Sequence, residues 1–127
     1  MKLSWIEARL KGSPESAWTI LRETLLSDID EWRRLTKADA GSLLVSSEDW
    51  RITVASKEED QLEDVWVTVQ KKETRITVRR PSKSGAPQEV DIIPRLNQDG
   101  ECRLWLGEEE LEFGQASRRI LEPVLFR

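Results

Sequence analysis

The chain has 127 residues, a net charge of −4, 35% charged and 38% hydrophobic residues. That length fits one domain, residues 1–127, with one sizeable core, and the balance excludes a disordered or membrane-embedded chain. The acidic total argues against nucleic acid as a partner, because affinity for it comes mainly from neutralised phosphates.

The start, MKLSWIEARLK, is broken by Glu7, Arg9 and Lys11. It therefore lacks the apolar core of a signal peptide, and no run approaches the ~20 residues of a membrane span. With a single cysteine, Cys102, no internal disulfide exists. A reducing cytoplasm is the expected location.

In residues 3–10, Ile6, Ala8 and Leu10 alternate with Glu7 and Arg9, which predicts a strand ended by Gly12. Ser13-Pro14-Glu15 then reads as a helix start: a capping hydroxyl, a proline at the first position and an acid at the positive end. The helical stripe Trp18, Leu21, Leu25, Ile29, Trp32, Leu35 follows at steps of three and four. Ser27 with Asp30 offers a second cap, so residues 14–38 form one helix or two, terminated by Gly41.

Strands follow. Residues 42–46 and 50–55 flank a polar turn, with Trp50, Ile52 and Val54 on one face; Lys57–Gln61 reads as a loop. Val65–Arg80 is the clearest hairpin: Val65, Val67 and Val69 oppose Trp66, Thr68 and Gln70 in facing, then Ile76 and Val78 alternate with Arg75, Thr77 and Arg79. The expected register sets Trp66 opposite Thr77, with Arg75 and Arg79 diagonal to it.

Residues 81–87 (PSKSGAP) form a loop. Residues 89–96 and 102–106 flank Gln98-Asp99-Gly100. A three-residue turn with Gly100 left-handed pairs Leu96 with Cys102 and keeps the apolar face intact, whereas a two-residue turn mixes the faces. Pro94 belongs at an edge or bulge. Residues 110–113 (ELEF) are a last short strand or the approach to a helix over Gln115–Leu125, which Pro123 should kink or end. The fold class is therefore α+β: an antiparallel six- to seven-stranded meander covered on one face by an N-terminal helix or helix pair and a short C-terminal helix.

Chemistry-bearing motifs are scarce. The chain has no histidine and no tyrosine, which removes the commonest general base, the commonest metal ligand and any Ser-His or Cys-His nucleophile. The acidic runs lack the spaced acid-and-glycine pattern of a calcium loop, and Ser82–Gly85 lacks the ending of a phosphate-binding loop. No pattern assigns a catalytic residue, metal or cofactor; a paired-carboxylate hydrolase, which needs only two acids in a cleft, stays open. The charge is segregated: seven acids in Glu48–Asp64, six bases in Lys71–Lys83 and four acids in Glu108–Glu112. Either neighbouring strands of opposite sign face each other, or the surface is polarised towards a partner.

The six tryptophans give two candidate sites. Trp18, Trp32 and Trp50, with Val67, Ile76, Ile92 and Leu104, belong to the apolar interior, as core or as the lining of a cavity for an apolar small molecule. Trp66 and Trp105 fall on the opposite sheet face, Trp105 opposite Ile93, among Arg75, Arg79 and Arg103. Exposed tryptophan beside arginine is what protein-binding hot spots favour. Another protein, or an apolar small molecule, is therefore the expected partner.

Glu7-Ala8-Arg9-Leu10, then Ser13-Pro14-Glu15-Ser16-Ala17-Trp18, with Trp32 near the end of the helical stretch, resembles the START-like (Bet v 1-like, helix-grip) superfamily. The resemblance implies a first strand, two short helices, a six-stranded antiparallel sheet and a C-terminal helix over a hydrophobic cavity. It implies binding of lipids, polyketides or other apolar ligands, or a co-chaperone-like contact with another protein, and no catalytic residue.

Overall fold

The computed structural model describes residues 14–36, 43–56, 65–82 and 85–126. The strand expected over 3–10, the Ser13 cap, Gly41, the loop Lys57–Gln61, and Lys83 and Ser84 lie outside them. Helix α1 (Pro14–Thr36) is unbroken through Ser27, which faces solvent. With no chain reversal required there, the second cap has nothing to cap. One helix of about 34 Å results, at ~1.5 Å per residue.

Among the described residues seven strands follow in a pure meander, each antiparallel to the next: β1 (Leu43–Glu48), β2 (Arg51–Ser56), β3 (Val65–Lys71), β4 (Ile76–Arg80), β5 (Gln88–Leu96), β6 (Cys102–Leu106) and β7 (Glu109–Leu111). Helix α2 (Phe113–Leu125) closes the chain. The fold is α+β, as the alternation predicts. Residues 110–113 split between the two readings: Glu110 and Leu111 end β7, and Phe113 opens α2.

Both helices lie against one sheet face. Ala17, Trp18, Leu21, Leu25 and Ile29 of α1 meet Ile52, Val54, Val67, Val69, Ile76, Ile92 and Leu104 of the sheet and Ile120, Leu121 and Val124 of α2 in one buried cluster. Burying each large aliphatic side chain contributes ~1.5–3 kcal/mol. Polar groups tie α1 along edge strand β1: Arg33 donates to the Leu43 carbonyl (3.1 Å), Arg22 to Ser47 Oγ (2.9 Å), and Trp18 Nε1 to the Asp49 carbonyl (2.7 Å). Such covering blunts an edge that otherwise templates strand addition.

The registers test the turn reading. Leu96 pairs with Cys102, Ile93 with Trp105, and Gly100 has φ +77°, all as the three-residue turn requires. Pro94 stands beyond the last β4–β5 pair, Ile76 with Ile92, so on that side it occupies a local edge.

In the β3–β4 hairpin Thr77 pairs with Gln70, not Trp66. Lys72 N donates to the Arg75 carbonyl (2.8 Å), which fixes a two-residue turn at Glu73-Thr74. The slip is four residues. An even slip leaves every side chain on its face, so the hydrophobic pattern cannot detect it.

Pro123 does not end α2, which runs to Leu125 with Phe126 N bonded to the Glu122 carbonyl at 2.9 Å. Proline has no N–H, so the Arg119 carbonyl loses its helical donor. Arg80, on the inner face of β4, supplies a replacement: its Nη2 donates to the Arg119 carbonyl at 2.5 Å and lies 3.3 Å from the Ile120 carbonyl.

Candidate functional site

The residues expected to line an interior cavity mostly fill the core. Val67, Ile76 and Leu104 are fully buried, and Trp18 is 3% exposed with its indole nitrogen bonded. Ile92 and Trp32 border open space, in two different places. Trp50 is not on the inner face. Glu48 pairs with Arg51, so Asp49-Trp50 is the turn, and the ring stands 44% exposed beneath the Arg51 guanidinium (4.7 Å).

The opposite face carries the other set. Trp66 lies beside Ala55 of β2, and Trp105 lies opposite Ile93, which is 42% exposed. The two rings do not form one patch. β3 and β6 are three strands apart, about 14 Å, and the ladder places the level of Trp105 near Lys72, about 20 Å along from Trp66. The arginines expected beside them are already engaged. Arg75 pairs with Asp91 (3.3 Å), Arg79 with Glu89 (3.7 Å), and Arg103 with Glu101, Glu110 (3.6 Å) and Glu112 (3.8 Å). The charge segregation is thus at least partly internal, strand against strand. Exposed pairs of this kind are worth ~0–1 kcal/mol each.

Trp105 has a further peculiarity. Its Nε1 is buried without a hydrogen-bond partner among the described residues, while Arg95 covers the ring at 4.9 Å. Trp105→Phe removes that orphan donor. Trp18→Phe instead breaks a 2.7 Å bond and strands the Asp49 carbonyl. We expect Trp18→Phe to cost more stability than Trp105→Phe by about 1 kcal/mol or more in paired urea titrations. Equal losses would show that the orphan nitrogen carries no penalty.

Cys102 is half-buried on the inner face against the core, and burial pushes its thiol above the usual range, with Arg103 opposing the shift. A thiol held protonated is a poor nucleophile. Among the described residues, no three His, Cys, Asp or Glu side chains converge to hold a metal, and no helix is long and apolar enough to cross a membrane.

Two open spaces border the helices among the described residues. A crevice of about 220 Å³ sits between α2 and the β4–β5–β6 part of the sheet, lined by Val90, Ile92, Leu106, Leu111 and Ile120 with Arg80 and Arg119. A larger open groove, about 630 Å³, runs between the C-terminal half of α1 and α2. Ser117 and Asp28 join the helices at its floor, Oγ donating to Oδ2 at 2.6 Å. Trp32, Leu35, Leu121, Leu125 and Phe126 supply its apolar lining. Leu35 is 66% exposed and Phe126 68%, the two most exposed large hydrophobics among the described residues.

Sequence reasoning placed Leu35 on the apolar stripe of α1. It did not identify the groove, because what exposes Leu35 is the packing of the two helices rather than its spacing. Comparison with protein-family models, with curated proteins and with solved structures gave no match.

Proposed function

We propose that this chain is a noncatalytic protein-interaction module that docks a partner in the groove between α1 and α2. The observation that carries the reading is the convergence of Leu35 and Phe126, both about two-thirds exposed, on one apolar groove rimmed by charged residues. Isolated exposed hydrophobics are ordinary; a rimmed apolar groove is the usual mark of an interaction site. The groove volume falls within the ~300–1,000 Å³ of typical binding clefts. The absence of histidine and tyrosine from the chain supports the noncatalytic part of the reading.

A photo-crosslinking residue at position 126, installed in the full chain in its host cell, should give a discrete crosslinked product. The same residue at Asp99, in the exposed β5–β6 turn, should give none. Leu35→Ser with Phe126→Ser should move the thermal midpoint by no more than about 2 °C, since both side chains are largely in solvent. The pair should also abolish binding of whatever position 126 captures. Equal labelling from positions 99 and 126 would refute the docking site.

The second reading is a carrier of a small apolar ligand. The crevice under α2 supports it, as does the resemblance to the START-like superfamily. Its 220 Å³ falls below the usual range for ligand clefts, which ranks it second. Native mass spectrometry of gently purified protein tests it: a released mass of a few hundred daltons supports the carrier, and bare protein counts against it.

A further inference from the structure

The inference rests on the reading of the α1–α2 groove as a docking surface and names its occupant. We propose that the groove takes an amphipathic helix of a different protein, with apolar anchors on one face and lysine or arginine along its flanks.

The walls argue for a helix. Both are helices, whose N–H groups are spent within each wall and whose only spare backbone groups are the carbonyls of the last turns, so an extended peptide finds no ladder of alternating donors and acceptors to join. A helix satisfies its own backbone and needs only side-chain contact. The α1 wall runs from Asp28 to Thr36, about 13 Å or two and a half turns. That length accommodates anchors at i, i+3 or i+4, and i+7.

The charges argue for a basic partner. Asp28, Glu31 and Glu122 line the groove against one base, Arg118. Arg118 is held by Glu122 at 3.0 Å, and Glu31 makes no ion pair among the described residues. The groove is therefore negative, and a cation on the partner's flank finds Glu31 unpaired. The same acids disfavour two other occupants. A second copy docked groove to groove about a two-fold axis would bring two surfaces of the same net negative sign together. An anionic lipid surface would be repelled outright.

The test is fluorescence anisotropy on the full chain at low ionic strength. The probe is a labelled helical peptide of about fourteen residues with leucines at i, i+3 and i+7 and lysine flanks. Its control carries glutamate flanks. The lysine peptide should bind about tenfold tighter or better than the control, added salt should narrow the gap, and Glu31→Lys should shrink it. Phe126→Ser should weaken both peptides.

Equal affinity for the two peptides, still lost in Phe126→Ser, overturns the basic partner and leaves the docking groove standing. No binding of either peptide, with the crosslink from position 126 intact, overturns the helical occupant alone. Loss of both signals overturns the groove itself. A dimer in sedimentation that Phe126→Ser dissociates overturns the heterologous partner in favour of a second copy.

Discussion

Leu104→Ala should lower the unfolding free energy by about 3 kcal/mol, seen in a urea titration as an earlier midpoint at constant slope. Leu104 is fully buried at the middle of β6, paired with Pro94 on β5 and with Leu111 on β7. Truncating such a residue loses the transfer energy of the removed carbons and leaves a void that its neighbours close only in part, hence ~2–5 kcal/mol for Leu→Ala. The size of the loss bears on function. A residue lining a ligand cavity already lacks contacts on one side, so truncating it costs less. A midpoint moved by under about 1 kcal/mol would show that the space around Leu104 is loose, and would return the carrier reading to first place. A full-sized loss supports a core packed for stability.

Much of the fold is legible in the pattern of residues. Strict alternation in β3 and β4 assigns the faces, and the shared parity of Leu96 and Cys102 fixes the β5–β6 register, because a three-residue turn keeps both on the same side and a two-residue turn does not. Where the pattern fails, the cause is a quantity it does not encode. The β3–β4 register slips by four residues because parity is blind to even shifts. Trp50 shares parity with Ile52 yet leaves the pleat, since the Asp49-Trp50 turn interrupts the alternation.

α1 continues past a plausible internal cap at Ser27 because tertiary burial of Leu25 and Ile29 on either side favours continuity over capping. The candidate groove is the least legible part. Leu35 and Phe126 are 91 positions apart in the chain and meet only because both helices pack on the same sheet face. Apolar spacing along either helix, taken alone, cannot separate a residue facing the core from one facing a partner.

Arg80→Ala should destabilise the chain by about 1.5 kcal/mol, the low end for a hydrogen bond from a charged donor because one of its two contacts is exposed. Most of that loss should vanish when Pro123 is alanine. Arg80 makes no ion pair among the described residues, and burial lowers the basicity of its guanidinium without removing the charge. A half-buried cation kept without a counter-ion needs another reason to be there, and the Arg119 carbonyl provides one. With Pro123 in place, that carbonyl lacks its helical donor, and Arg80 Nη2 fills the vacancy. In Pro123→Ala the new backbone N–H takes the Arg119 carbonyl, and the arginine becomes redundant.

A double-mutant cycle by urea titration reads the coupling directly, with an expected interaction of about 1 kcal/mol. Equal losses in the two backgrounds would mean that Arg80 acts only through the packing of its aliphatic stem. The consequence reaches the groove. The turn beyond Pro123 presents Leu125 and Phe126, so Arg80→Ala should also weaken docking at position 126, and Pro123→Ala should restore it without touching the groove's own lining. Rescue of binding by a substitution that adds one backbone N–H would tie the proposed docking surface to the donor on β4 that holds its last turn.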